Sequence, residues 1–284
     1  MKNLKTIVLS NQEISPGYFR MKILAPGYSQ LSKPGQFVMF RVQRSLPPLL
    51  RRPFGIFRVG FMPGDCEGMP AKEFIELIYK VVGSGTEIMQ GLHHGDPVEL
   101  LGPLGEGFDL GNPAEEKILV GGGIGLVPLY PLAERLVENS RVRLLMGGRT
   151  RDDIIVVTEF ERLGVGTYVS TEDGSLGEEG LITRVLERKL DKYPKSTVYA
   201  CGPMPMVEAV QKICHERGIP LQVSLEALMA CGVGACLGCV VKGVGHTEVE
   251  PRYLCTCTSG PVFNAEELDW NTGKVEHVET GGCK

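Results

Sequence analysis

Three cysteines crowd into nine residues: Cys231, Cys236 and Cys239 lie within "ALMACGVGACLGCVVKG", residues 227–243. Two more, Cys255 and Cys257, follow in "YLCTCTSGPVFNAEEL". Five of the chain's nine cysteines thus fall between 231 and 257. Such clustering points to a metal or iron–sulfur site rather than to disulfides. The Cys-x4-Cys-x2-Cys spacing is that of [2Fe–2S] ligands. A four-sulfur cluster needs a loop wrapped around it with backbone N–H groups aimed at sulfur. Gly232, Gly234 and Gly238 permit the unusual φ angles of that wrapping. A structural zinc site draws instead on two Cys-x2-Cys-like pairs. Here there is one such pair, an extra cysteine before it and a Cys-x-Cys after it, so the cluster reading is preferred. Spacing leaves Cys255 and Cys257 both open as the fourth ligand, with 15 or 17 residues between it and Cys239.

A second group of residues suits a nucleotide. In "EKILVGGGIGLVP", Gly121, Gly122, Gly123 and Gly125 stand between a buried strand pattern and a helix pattern. Glycines there allow a tight turn and let backbone N–H groups approach a pyrophosphate at the helix start. The match to G-x-G-x-x-G is incomplete, with Leu126 where the last glycine would stand. In "YACGPMPM" another strand pattern ends at Cys201-Gly202-Pro203 and a helix pattern follows. Ligands of open α/β sheets bind at the carboxyl ends of the strands, so Cys201 is expected in the same crevice as the glycine loop.

Three regions must position these groups. Residues 1–112 read as an antiparallel β-barrel: short β-branched and aromatic runs such as "YFRMKIL", "QFVMFRV" and "FIELIYKVVG" alternate with Pro-Gly turns at 16–17, 26–27 and 34–35. Residues 113–221 alternate strand and helix patterns, the mark of an α/β domain with a parallel sheet. Residues 222–284 form a short cysteine-rich segment and tail. No internal repeat or low-complexity tract interrupts them.

Composition narrows the class further. The 284 residues are 43% hydrophobic, 23% charged and 7% aromatic, as in an ordinary soluble protein. A net charge of −4 and a pI near 5.8 give no footprint for nucleic acid. No apolar run approaches the roughly 20 residues of a membrane span. The apolar stretch near the N-terminus is too short for a signal peptide, so a cytoplasmic location is expected. Cys66, Cys214 and Cys283 are expected as free thiols, two of them near the surface.

A β-rich first region, then GGGIG, then CGPMPM resembles the ferredoxin–NADP+ reductase superfamily over residues 1–220. The resemblance implies an FAD-binding barrel followed by a nicotinamide-binding domain. "LLRRPFGI" is similar to the family's R-P-x-S flavin motif at Arg52, Pro53, Phe54 and Gly55. Arg52 would contact the FAD pyrophosphate, since a guanidinium suits phosphate. Gly55 replaces the usual serine and lacks its hydroxyl. "LIYKVVGSGT" resembles the second flavin segment: Ile78, Tyr79 and Lys80 would line the isoalloxazine or ribityl chain, and Gly85 and Thr86 would offer N–H and hydroxyl donors to the pyrophosphate. By the same resemblance Cys201 would stand beside the contact of nicotinamide C4 with flavin N5. For the nucleotide, Arg149 and Arg151 suit a 2′-phosphate, while Asp152 and Asp153 repel one. Glu172 and Asp173 in "STEDGS" suit ribose hydroxyls, Asp173 being taken as the binder, and the balance favours NAD(H) over NADP(H).

The cysteine tail is similar to that of the electron-transfer subunits of bacterial dihydroorotate dehydrogenase. "LLRRP", "TEDGSLGEEG", "ACGPMPM" and the cluster segment fall in family order. In that family the last ligand lies two residues before Gly-Pro-Val-Phe, which implies Cys257 with Cys231, Cys236 and Cys239. The resemblance also implies an FMN-containing catalytic partner, with two copies of each chain. Electrons from dihydroorotate oxidation would then reach NAD+ through the [2Fe–2S] cluster and FAD, in pyrimidine synthesis. Related modules serve sulfide dehydrogenase, anaerobic sulfite reductase and transhydrogenase-type complexes, and a redox-sensing module without turnover is a further reading.

Overall fold

The structure is a computed structural model and describes residues 1–41, 50–63, 71–113 and 115–270. Cys66, Cys283 and residues 271–284 lie outside the described residues.

The first region forms one seven-stranded antiparallel sheet. Its strands are β1 (Lys2–Ser15), β2 (Tyr18–Leu24), β3 (Phe37–Arg41), β4 (Arg52–Gly55), β5 (Arg58–Met62), β6 (Lys72–Lys80) and β7 (Pro97–Leu104). The order is β4-β3-β7-β1-β2-β6-β5. The two edge strands, β4 and β5, are joined by only Ile56 and Phe57. Two residues cannot span a flat seven-stranded sheet at about 4.8 Å per strand, so the sheet curls into a half-barrel. Val8, Met21, Phe40, Ile75 and Tyr79 fill it. A short helix, α1 (Ser84–Gln90), follows β6.

The second sheet is mainly parallel. It comprises β8 (Glu116–Gly122), β9 (Arg141–Gly148), β10 (Gly166–Thr171), β11 (Glu178–Glu179), β12 (Ser196–Cys201) and β13 (Leu221–Ser224). Helices α2 (Leu126–Leu136), α3 (Val157–Arg162), α4 (Ile182–Lys192) and α5 (Met204–Glu216) connect them. The strand order is β11-β10-β9-β8-β12-β13, closed at the edge by a late antiparallel strand. The sense of the order reverses between β8 and β12, the switch point where open α/β sheets bind ligands.

The cysteine segment is an excursion from this sheet. The chain leaves at the end of β13, forms the hairpin β14 (Val240–Lys242) and β15 (Tyr253–Cys255), and returns as β16 (Val262–Asn264). β16 pairs antiparallel with β13, placing Phe263 opposite Val223. The expected boundary at 221/222 therefore falls inside β13. The sequence there turns cysteine-rich only after the strand has run its course.

One hydrophobic core joins the two sheets. Tyr18, Phe57 and Ile78 of the half-barrel pack with Leu126, Tyr130 and Cys201 of the second sheet. The rings of Phe57 and Tyr130 stack with centroids 4.5 Å apart, and Arg58 lies over Tyr130 at 4.7 Å. Among the described residues no helix is long and apolar enough to cross a membrane. Cys214, expected as a free thiol, is free and buried under α5.

Candidate functional site

A cleft of about 600 Å³ opens at the carboxyl ends of the parallel strands, against the wall of the half-barrel. Gly122 and Gly123 line it from β8, Gly148 and Arg149 from β9, Glu172 after β10, and Gly202 and Pro203 after β12. The four glycines at the end of β8 and in the turn after it divide their work. Gly122 and Gly123 face the cleft. Gly121 and Gly125 allow packing behind it. A Cβ on Gly121 would lie 2.5 Å from Leu126, and one on Gly125 would overlap the Cys201 carbonyl. The glycine loop and the Cys-Gly-Pro loop thus touch directly, which brings together two motifs about 75 residues apart in the chain.

Cys201 sits one residue behind the cleft wall. It is 3% exposed and belongs to the core between the sheets. Burial, reinforced by Glu226, drives its thiol well above the ordinary range against a hydrogen bond from Ser224. Its thiol packs in the core, and at this strand end Gly202 and Pro203 line the cleft. Asp173 lies next to the cleft but not among its lining residues. Its carboxylate accepts from the Ser175 amide at 3.0 Å and the Ser175 hydroxyl at 2.6 Å, closing its own turn. Glu172, the neighbour, lines the cleft instead.

The expected flavin residues meet on one side of the half-barrel. A Cβ on Gly85 would lie 2.5 Å from Nε of Arg52, so the guanidinium stem crosses the start of α1. Two segments separated by thirty-odd residues thereby present one cation and an open backbone, a donor set that fits a pyrophosphate. Pro53 pairs with Met39 across β3. Gly55 faces α2, where a Cβ would make ordinary contact with Val127 at 3.4 Å. Three side chains point elsewhere. Phe54 packs into the barrel on Phe40 and Tyr79. Tyr79 is 1% exposed and donates its hydroxyl to Asn11 at 3.1 Å. The Thr86 hydroxyl caps α1, accepting from the Val82 amide at 2.9 Å and donating to the Gly83 carbonyl at 2.9 Å. Strand alternation explains Tyr79: Ile78 and Lys80 share one face of β6 and Tyr79 takes the other. Ile78 joins the core between the sheets, and Lys80 reaches the cleft.

The cysteine loop docks on the barrel. Cys239 and Cys257 are buried with Phe37 and Met39 of β3 and Leu104 of β7. The thiols fall into two couples: Cys231 is within hydrogen-bonding reach of Cys236, and Cys257 of Cys239. Backbone amides aim at sulfur, from Val233 to Cys231 at 3.5 Å and from Gly234 to Cys257 at 3.1 Å. Burial resists ionisation of Cys231, but amides of Val233, Cys236 and Ala235 outweigh it and bring the thiol down to about 7. Gly232 and Gly234 take φ of 72° and 78°, which turns those amides inward. Cys255 lies outside the couples, with Thr258 as its side-chain hydrogen-bond partner. Among the described residues no three His, Cys, Asp or Glu side chains are arranged around a single ion.

Sequence reasoning gave no cleft role to Tyr18 or Glu226, and it placed Asp153 near the nucleotide without its turn toward the half-barrel. Tyr18 sits in a strand of the other domain and carries no motif. Glu226 follows β13, outside the Cys-Gly-Pro motif.

Residues 226–269 match the model of the iron–sulfur cluster binding domain of dihydroorotate dehydrogenase B, and residues 119–212 match the oxidoreductase NAD-binding domain. The dihydroorotate dehydrogenase B (NAD(+)) electron transfer subunit of Geobacillus thermodenitrificans is 38% identical over 264 residues, covering 92% of this chain and 96% of that one. That of Desulforamulus reducens is 35% identical over 264 residues, covering 93% and 97%. A solved NADH-dependent reduced ferredoxin–NADP oxidoreductase superposes with a TM-score of 0.78 at 30% identity, covering 94% of this chain and 90% of that one. The half-barrel, the switch-point cleft and the docked cysteine loop accord with this likeness along nearly the whole length, and the chain belongs to the family of dihydroorotate dehydrogenase B electron transfer subunits.

Proposed function

We propose that this chain carries electrons between a dihydroorotate-oxidising catalytic subunit and NAD+, using FAD and a [2Fe–2S] cluster. The carrying observation is the seat of the cysteine loop. Gly232 lies against Met39 of β3, and Met39 pairs with Pro53 of the flavin-motif strand β4. The loop is thereby fastened to the strand next to the expected flavin, on one continuous piece of sheet.

The residues present fit all three groups. Arg52 over the open backbone of Gly85 suits the FAD pyrophosphate. The two thiol couples, Cys231 with Cys236 and Cys239 with Cys257, suit a cluster whose two irons each take two sulfurs. Gly122, Gly123, Gly202 and Pro203 present backbone without bulky side chains to a dinucleotide. When bound, flavin would supply the exchange of the electron pair of one hydride on one side for two single electrons on the other. The chain's own part is to hold, orient and shield. Arg52 fixes the phosphate end. Amides of Val233 and Gly234 stabilise charge on sulfur. Packing of Cys239 and Cys257 against Phe37, Met39 and Leu104 keeps water from the barrel side of the loop.

The catalytic partner is an FMN-containing subunit, with two copies of each chain in the assembly. Its docking face is the outer surface of the cysteine loop. Cys236 is exposed there, and the same segment leaves Leu228 and Leu237 open at 85% and 64% exposure. Apolar side chains left open around a redox centre suit a protein partner.

Co-expression with a dihydroorotate dehydrogenase catalytic subunit tests the reading. A stable complex that forms NADH from dihydroorotate and NAD+ supports it, and absence of both sinks it. The likeness to the solved ferredoxin–NADP oxidoreductase favours a second reading, a reductase subunit of a transhydrogenase-type complex. Pull-down from the native host separates them by naming the partner.

A further inference from the structure

One carboxylate spans the mouth of the cleft. Asp153 ends the 3-10 turn Arg151–Asp153 that follows β9. Its Oδ1 accepts from the Tyr18 hydroxyl at 2.6 Å and from Lys80 Nζ at 3.0 Å. Its Oδ2 accepts from the Arg149 amide at 3.1 Å. Gly148 makes room for this, since a Cβ there would lie 2.9 Å from the Asp153 Cβ. Lys80 Nζ also donates to the Tyr18 oxygen at 3.0 Å and lies 4.6 Å over its ring. The Tyr18 oxygen stands 3.6 Å from where a Cβ on Gly123 would be, directly above the glycine loop. All five residues, Tyr18, Lys80, Gly123, Arg149 and Asp153, line the cleft.

Tyr18 and Lys80 belong to the half-barrel, whereas Gly123 and Arg149 belong to the nucleotide sheet. Asp153 hydrogen-bonds to both, through Tyr18 and Lys80 on one side and the Arg149 amide on the other. Its side chain is only 16% exposed, so its charge-assisted bonds are less screened than those of a surface pair. Two further ties secure the same segment: the Ser15 hydroxyl donates to the Asp152 carbonyl at 2.9 Å, and Arg20 pairs with Glu159.

We infer that Asp153 is a positioning residue for hydride transfer: through Tyr18 and Lys80 it fixes the half-barrel against the loops of Gly123 and Arg149, and so sets a nicotinamide held by those loops against a flavin held by the barrel. This rests on the function proposed above. Asp153 acts through its three partners and not on the reacting atoms. Hydride transfer is sensitive to such alignment, because a misplacement of about 1 Å costs about 100-fold in rate.

The test is anaerobic stopped-flow reduction by NADH of the FAD- and cluster-loaded chain, in wild type, Asp153→Asn, Tyr18→Phe and the double variant. The flavin reduction rate at saturating NADH is expected to fall about 10- to 100-fold in Asp153→Asn. The NADH concentration giving half that rate changes far less. The double variant is no slower than Asp153→Asn alone, as expected of residues acting through one tie. FAD content and cluster absorbance match wild type. An unaltered rate, effects that multiply, or loss of FAD from the single variants overturns the inference. A wild-type chain that NADH does not bleach sinks the functional reading and this inference with it. A reactive wild type with equally reactive variants sinks this inference alone.

Discussion

Gly232 of the cysteine loop rests on Met39 of the barrel: a Cβ there would lie 2.5 Å from the Met39 Cγ and 2.9 Å from its sulfur. Its φ of 72° adds a second reason for glycine. Gly232→Ala therefore meets both strain and a clash. Overpacking of this kind costs about 1–3 kcal/mol. The expected outcome is a cluster lost faster on heating or chelation, with FAD retained. Parallel visible spectra of the two chromophores check it, and simultaneous loss of both would show that the loop is not separately seated.

The thiol proposed to complete the cluster set is the one that faces the loop. Cys257 is 2% exposed and receives the Gly234 amide at 3.1 Å. Cys255 takes Thr258 as its side-chain partner and feels Cys239, Cys236 and Cys231 only through their charges. Cys257→Ser is expected to abolish the electron paramagnetic resonance signal of the reduced [2Fe–2S] cluster, while Cys255→Ser keeps it. The reverse pattern would exchange their roles.

Arg52, which crosses Gly85, is proposed to hold the FAD pyrophosphate, a role that lysine would fill poorly because an ammonium lacks the planar fork. Hydrogen bonds to charged groups contribute about 1.5–3 kcal/mol, so Arg52→Ala is expected to weaken FAD binding about 10- to 100-fold. Arg52→Lys falls between. Equilibrium dialysis against free FAD measures this, and an unchanged affinity would remove Arg52 from the flavin site.

Nucleotide preference tests the exchange of Asp173 for Glu172. Glu172→Gln is expected to raise the KM for NADH about tenfold and narrow the gap to NADPH, given the same energy for charged hydrogen bonds. Asp173→Asn leaves both KM values near wild type, since that carboxylate serves Ser175. Steady-state assays with both nucleotides decide between them.

Glu226 offers a pH prediction. Solvent reaches it through the cleft, yet protein atoms surround it, and that desolvation raises its carboxyl above the ordinary 4.5. The folded chain therefore keeps a proton that the unfolded chain has released. The associated stability is full below pH 4.5 and is lost as pH rises through the raised value. Glu226→Gln cannot titrate, so wild type should lose stability relative to it as pH rises across that window. Urea unfolding of both proteins from pH 4 to 8 reads the difference, and a constant offset would contradict it.

Much of this was legible beforehand. Cysteine spacing, the glycine-rich strand-to-helix turn and the Arg-Pro pair are local, and local chemistry is written in consecutive residues. Strand periodicity and Pro-Gly turns also marked the barrel, and the change to strand–helix alternation marked the second sheet. Side-chain direction was the weak point. Tyr79 sits in the expected segment but on the inward face of β6, and Thr86 spends its hydroxyl on the helix it begins. Cys201 lies at the expected strand end with its thiol in the core.

The sequence by itself pointed to the chemistry this protein carries: a cysteine spacing of cluster type with two candidates for the fourth ligand and a glycine-rich dinucleotide turn, both read from residue type and spacing, and a flavin motif read from family resemblance. Tertiary structure alone decided how they meet. Tyr18 reaches Asp153 across 135 positions of chain, β16 returns to β13 after the cysteine excursion, and Gly232 finds Met39 nearly two hundred residues away. Such contacts depend on how curled and twisted sheets pack their faces, and that geometry belongs to the whole chain rather than to any stretch of it.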